Sequence, residues 1–500
     1  MDSFFEIYFR KNLKNKSLKT ESFLFVIVFL LLLVNTIIVL QKPLWLDEVI
    51  TIICSKENTL INLIINFFNG IDTNPPFYFL LINLSIKISN ENIFVLRFLS
   101  LILTLIGLIY FLKTIKCFGH EKYLSLLLIM NSNFITGYLF SEIRPYSLFF
   151  CLGAIIIYLF YNIMINKKYS FIDIIKVNVF LTIFLYTHYF SIFYFIGLIV
   201  WCLISLEELK FKYLLLFFLI PLILFLPWII AIKNQFEAVK GFFWQEPATI
   251  FRLIKLPYYF LGYFAIVLLV IIIINLFFYK KYISELISQI SLNVKILSLA
   301  IVFVLIPVVV SILSMFKLLP YQERYLLISI FGIVIIFNTL FHKRKDYKKI
   351  FYLLSIIFIS INIYKNYSSQ LFMEKDLKEK LDLTKYKVPI VCESPHVYFP
   401  LHYYSKKYSD KFYLLLDLES AKLKGNIKNS LFDYYWIKNL KKYRDSLNIS
   451  EFSTFINNNS EFILINEEGR LLFEYNIQNN KNYLIKEIGN NILFIKNTKK

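Results

Sequence analysis

LWLDEVITI, residues 44–52, decides how this chain is read. It follows directly on an apolar run from Phe23 to Leu40, which is long enough to cross a bilayer. Asp47 and Glu48 therefore stand at the mouth of a membrane span, with Trp45 beside them. Adjacent carboxylates held at a membrane surface next to an interfacial aromatic form a candidate reaction centre. The plain alternative is that they end a helix on its polar side.

Composition supports the membrane reading. The 500 residues are 58% hydrophobic with a mean hydropathy of +0.62, against roughly 45–50% apolar usage in ordinary globular domains. Long apolar runs recur from Phe23 to about Tyr364, so the chain reads as an α-helical polytopic membrane protein. Glycine is scarce, at 12 residues, and no GxGxxG, GxxxxGK[ST], HExxH or CxxC occurs, which argues against nucleotide loops and common metal motifs. The five cysteines, Cys54, Cys117, Cys151, Cys202 and Cys392, form neither a disulfide framework nor a metal spacing. The net charge of +20 is what basic inner loops supply, so nucleic acid is not an expected partner. The basic N-terminus (Arg10, Lys11, Lys14, Lys16, Lys19) without a small-residue cleavage site reads as an uncleaved signal anchor.

Orientation follows from the loops. A basic N-terminus inside delivers Asp47 and Glu48 to the outer face. The run Pro76–Ile88 is too short to span and reads as a re-entrant or juxtamembrane helix opened by Pro75-Pro76. Further spans are then expected near 95–113, 122–140, 146–165, 173–188, 190–206, 213–232, 257–279, 295–316, 324–341 and 350–365, about eleven in all. The inner loops hold Lys113, Lys116 and Lys122; Lys167 and Lys168; Lys210 and Lys212; Lys280 and Lys281; and His342 to Lys349. Every one is basic, which agrees with this parity. The outer set is Asp47, Glu48, Asp72, Arg97, Glu142, Arg144, His188, Glu246, Glu323 and Arg324, while the spans carry almost no ionisable residue. Charge at one face favours surface chemistry over ion-coupled transport. The expected localisation is the cell (inner) membrane. Residues 1–365 form a transmembrane domain whose outer loop 41–95 carries the acidic pair. Residues 366–500 form a small extracytoplasmic α/β domain, with strands expected at 388–393, 411–417, 461–466 and 491–497 and helices at 397–408, 432–444 and 449–458. Its aromatics Tyr403, Tyr404, Tyr434, Tyr435 and Trp436 suit core packing, with sugar contact as the alternative.

Four stretches fall on the outer side: LWLDE (44–48), NPPFYFLL (74–81) leading to LRFLS (96–100), SEIRPYS (141–147) and YQERYLL (321–327). In type and order they resemble the landmarks of the GT-C fold membrane glycosyltransferases. The likeness is to the family 39-like group of protein mannosyltransferases, lipid A aminoarabinose transferases and the RgtA/B/C/D-like domain. Asn74 departs from the His that often precedes the two prolines there, which puts any role of that His, metal binding included, in question.

The resemblance implies transfer of a sugar from a polyprenyl-phosphate carrier to a lipid, glycan or protein acceptor at the outer face, with inversion. By that likeness Asp47 is the base, and Glu48 orients the acceptor, helps hold a divalent cation, or caps and salt-bridges. Arg97, Arg144 and Arg324 are candidates for the donor phosphate, because a guanidinium pairs with phosphate through two planar donors; Tyr146 adds a hydroxyl. Each arginine could instead snorkel to headgroups. Trp45, Glu142, His188 and Tyr325 are candidate site-lining residues, and Asp47 with His188 is the candidate metal pair. Trp244 and Glu246 are candidates to close over the donor. The rival readings are a polyprenyl-linked lipid transporter or flippase, an O-antigen polymerase or ligase, and a membrane-anchored binding protein.

Overall fold

The structure, a computed structural model, describes residues 23–117, 122–130, 141–166, 170–204, 211–242, 245–262, 294–341, 346–423, 430–466, 482–489 and 491–498, with isolated positions elsewhere. The basic N-terminus, Lys167, Lys168, Lys210, Trp244, Lys280, Lys281 and 342–345 lie outside the described residues.

Helix α1, Phe23–Gln41, is the expected first span. Four more described helices are long and apolar enough to cross a membrane: α5 (Ile93–Cys117), Tyr146–Ile163 within α7 (Tyr146–Asn166), Ile296–Met315, and Lys349–Lys385. A sixth arises if α10 (Phe211–Phe225) and α11 (Trp228–Ala238), bent by 46° where Leu226 and Pro227 part them, count as one. The chain is a multi-pass membrane protein. Several expected spans are shorter than anticipated: α8 (Phe171–Leu185), α9 (Ser191–Ile204) and Ser329–Phe341 have 15, 14 and 13 residues. At about 1.5 Å per residue, such helices fall short of a hydrocarbon core of about 30 Å. Polar turns cut them: Thr187-His188 between α8 and α9, and the 3-10 turn Glu323–Leu326 before Ser329. Expected segments 122–140 and 257–279 lie partly outside the described residues; α6 is Lys122–Met130.

The helix expected to be too short to span is present. Helix α4 is Phe77–Ser89, entered through Pro76 and ended by Asn90 in the left-handed region at φ 50°. Asn tolerates that conformation better than most side chains. Before it come α2 (Leu46–Ser55) and α3 (Leu60–Phe68). Nearly all of α2 is buried, so it lies within protein and not along lipid. Helices α5 and α7 pack closely; a Cβ at Gly107 would come within 2.7 Å of the Phe150 ring. That approach brings their N-terminal ends together, and those ends carry Arg97 and Tyr146.

The helix Asp346–Leu381 runs 36 residues without a break past position 365 and leads toward the C-terminal unit. Asn366 donates to Asn35 of α1 at 2.8 Å. The C-terminal unit is an α/β domain with strands β1 (Ile390–Cys392), β2 (Phe412–Leu416), β3 (Ile449–Glu451), β4 (Glu461–Ile465), β5 (Tyr483–Gly489) and β6 (Ile492–Asn497). Their order is β3-β2-β1-β4-β6-β5, parallel except where β6 joins β4 and β5. The four expected strands are present. The two edge strands go beyond the expected set: β3 opens the stretch expected as a helix over 449–458, of which only Phe452–Asn458 is helical, and β5 falls where no element is expected. β3 is three residues long and β5 is mostly exposed, so neither shows the apolar run that marks a buried strand.

Candidate active site

The site starts at the N-terminus of α2. Trp45 is extended, and its N–H donates to the Glu48 carboxylate at 3.4 Å. Two acids in the first turn suit the positive end of the helix dipole. One helical step apart, their side chains diverge. Glu48 points inward and is 1% exposed. It takes Arg97 Nε at 3.0 Å, Arg97 Nη2 at 2.7 Å and the Ile143 N–H at 3.1 Å. Arg97, 3% exposed, also donates to the carbonyls of Leu40 at 3.0 Å, in the last turn of α1, and of Lys42, in the turn between α1 and α2. Of the roles considered for Glu48, the geometry matches cap and salt bridge. The guanidinium of Arg97, expected at a phosphate, is engaged by Glu48 and backbone carbonyls, so this buried pair clamps the turn that presents Asp47.

Asp47 faces the other way, into a cavity of about 700 Å³. Its side chain is 21% exposed, and its Oδ2 lies 3.2 Å from Arg324 Nη2 and 3.8 Å from Arg144 Nη2. Arg144 is fixed from behind by Thr51 Oγ1 at 3.0 Å and the Asp47 carbonyl at 3.3 Å. Arg324 lies 5.4, 5.6 and 5.9 Å from the ring centres of Trp45, Tyr146 and Tyr325. Arg144 lies 6.0 Å from Tyr146. These cation–π contacts orient both guanidinium groups without consuming their hydrogen-bond donors. Residues from four separate stretches thus converge: Trp45, Asp47, Arg144, His188, Arg324 and Tyr325 all line the cavity. Tyr146 lies behind them, its buried hydroxyl without a hydrogen-bond partner among the described residues.

Glu142 is turned inward. Burial first and the nearby Glu48 second raise its carboxyl well above the usual range, against the pull of Arg324 and Arg144. His188 sits in the turn between α8 and α9, its Nδ1 accepting the Phe190 N–H at 3.2 Å. Burial, then Arg144 and Arg324, depress its pKa to about 3, so the imidazole is neutral. A neutral native histidine whose unfolded pKa is 6.5 makes the unfolded chain bind the extra proton between those two values, so stability falls as pH drops below about 6.5. The melting temperature of purified protein in nanodiscs should therefore fall more between pH 7.5 and pH 5 than that of His188→Gln; parallel falls would reject a buried neutral His188.

The structure adds residues that sequence reasoning did not place here. Asp72, noted only as an outer-loop charge, lines the cavity and accepts from Asn74 Nδ2 at 2.7 Å. Burial raises its pKa, with Asp47 adding to the rise while Arg144 and Asn74 oppose it. Asn74, which stands where the family pattern has His, thus serves an acid. Gln245 donates to the Tyr325 hydroxyl at 2.8 Å. Its neighbour Glu246 is exposed and does not line the cavity. Among the described residues, no group of three or more His, Cys, Asp or Glu could hold a metal ion. From the centre, an apolar wall formed by Leu185, Phe225, Ile232, Phe236 and Val239 follows α8, α10 and α11.

The comparisons agree with this architecture. A family model described as dolichyl-phosphate-mannose-protein mannosyltransferase matches residues 73–230. That range holds Asn74-Pro75-Pro76, Arg97 and Arg144; the acidic pair and Arg324 lie outside it. Two solved structures superpose over nearly the full length of both chains. ArnT from Cupriavidus metallidurans in the apo state gives a TM-score of 0.57 at 8% identity, covering 96% of this chain and 99% of that one. ArnT from Cupriavidus metallidurans bound to undecaprenyl phosphate gives 0.56 at 9% identity, covering 95% and 98%. No curated protein matches by sequence. The chain has the GT-C fold seen in ArnT.

Proposed function

We propose that this protein is a glycosyltransferase that moves a sugar from a polyprenyl-phosphate carrier to a hydroxyl acceptor at the outer membrane face, with inversion and with Asp47 as base. One observation carries the reading. A carboxylate stands 3.2 and 3.8 Å from two guanidinium groups on the wall of a cavity that continues along apolar helices. The cavity suits a ligand with an anionic head and a hydrocarbon tail. The ArnT bound to undecaprenyl phosphate has this overall fold and supports the same ligand class.

The chemistry follows from the residues. Asp47 takes the proton of the acceptor hydroxyl as its oxygen attacks the anomeric carbon. The new carbon–oxygen bond forms opposite the breaking bond to phosphate, so configuration inverts. The electron pair of the broken bond stays on the phosphate oxygen, where Arg324 and Arg144 neutralise it. Glu48 and Arg97 act through positioning. The sugar–phosphate bond supplies the driving force, so no nucleotide site is needed.

Arg324→Ala should weaken binding of undecaprenyl phosphate by about tenfold or more. Native mass spectrometry in nanodiscs measures this, and unchanged affinity would remove Arg324 from the phosphate site. The scheme also requires the charged centre to face outward. With membrane-impermeant maleimide, Asn90→Cys should be labelled in intact cells and Lys116→Cys only after lysis; the reverse pattern would invert the topology. The acceptor is found by comparing the masses of surface glycans, lipids and proteins with and without the gene.

A further inference from the structure

The cavity has a second wall supplied by the C-terminal domain. His396, Phe432, Asp433 and Trp436 reach it from a unit 349 to 389 residues distant in sequence from Asp47. Phe432, Asp433 and Trp436 share one face of the helix Ser430–Tyr443, at helical spacing. The Phe432 and Trp436 rings stack at 6.3 Å and 12°, and Phe399 packs on Trp436 at 6.0 Å. The result is a fixed aromatic platform with a carboxylate beside it.

The helix is pinned where it matters. Asn439 donates to the Gly70 carbonyl at 2.6 Å and Tyr443 to Asn69 at 3.0 Å, in the turn that continues into Asp72. Just beyond it, Arg444 pairs with Glu57 at 2.7 Å and donates to the Ile53 and Cys54 carbonyls at 2.9 and 3.2 Å, at the C-terminal end of α2. Phe242, beyond α11, stacks on Tyr435 at 6.0 Å. The platform and the Asp47 centre are therefore tied to the same two elements.

We infer that Phe432, Asp433 and Trp436 form the acceptor subsite and that the acceptor's reactive end is a saccharide. The inference rests on the glycosyl-transfer reading. A lipid tail needs only apolar walls, and the α8, α10 and α11 side already has them. A flat aromatic platform with an adjoining carboxylate suits a pyranose ring: the ring's C–H face lies on the indole, and its hydroxyls donate to the carboxylate. A bare protein hydroxyl side chain would leave this platform unused. The two walls thus divide the work, with the donor carrier on the membrane side and the acceptor sugar under the C-terminal domain.

The test uses the full chain in nanodiscs and two readouts. Saturation-transfer difference NMR with methyl mannopyranoside, methyl glucopyranoside and methyl N-acetylglucosaminide reports saccharide contact; native mass spectrometry reports undecaprenyl phosphate affinity. At least one glycoside should show transfer to the wild type, and Asp433→Asn and Trp436→Leu should each reduce it about tenfold. Undecaprenyl phosphate affinity should stay within about twofold in both variants. Asp433→Asn is nearly isosteric, so it reads the contact even if Trp436→Leu unfolds. No transfer from any glycoside to the wild type, or unaltered transfer to Asp433→Asn, overturns the inference. A loss of undecaprenyl phosphate affinity in Asp433→Asn overturns it too, by giving the platform to the donor. Failure of the wild type to bind undecaprenyl phosphate sinks the transferase reading instead, and leaves the saccharide readout separate.

Discussion

Asp47→Asn is expected to lower kcat about 10³-fold, the range for losing a positioned general base, while undecaprenyl phosphate still binds. The two side chains have nearly the same shape, and the cavity wall is formed by their neighbours. The amide cannot take the acceptor's proton, but it leaves Arg144 and Arg324 in place to hold phosphate. In cells, the surface product seen with the wild type should vanish in the variant at equal protein abundance. A variant with normal product would remove Asp47 from the reaction. A variant without product that also fails to bind undecaprenyl phosphate would make the carboxylate an organiser of the arginines.

Arg97→Ala is expected to have the second largest effect, and on folding. The pair it forms with Glu48 is buried on both sides. Removing one partner strands a carboxylate away from water and costs about 3–5 kcal/mol. It also releases the carbonyls that hold the turn after α1. The melting temperature should drop by many degrees, with loss of inserted protein. Replacing both partners, as in Glu48→Gln with Arg97→Met, should restore much of the stability, because no unpaired charge remains. If Arg97→Ala stays stable and instead weakens undecaprenyl phosphate binding, the guanidinium serves the ligand and the clamp reading is wrong.

The two acids of the opening motif show how far sequence reaches. Their adjacency at a span end marks both as candidates, and nothing local separates them. Which one faces the cavity is decided by Arg97, forty-nine positions from Glu48, which binds Glu48 and leaves Asp47 to Arg144 and Arg324. The same limit explains Arg97 itself. An arginine at a span boundary looks identical whether it meets phosphate, headgroup or buried carboxylate. That Arg144 and Arg324 share one cavity was legible because each sits in a motif at a turn, and turns at one end of a helix bundle are brought together by the helices beneath them. The break between α8 and α9 was legible as well, since the apolar runs 173–188 and 190–206 part at the turn that carries His188.

By itself, the sequence determined what short-range physics controls. Apolar run length places helices in a bilayer, Pro75-Pro76 and Asn90 bound the short helix α4, and alternating charge sets which loops face together. The four central strands follow from their β-branched and aromatic runs. Only the tertiary structure decided which carboxylate faces the cavity, that Asp72 joins it through Asn74, and that Asp433 and Trp436 close it from the far end of the chain. Those outcomes depend on contacts between residues tens to hundreds of positions apart, and such contacts leave no periodicity or spacing in the local sequence from which they could be read.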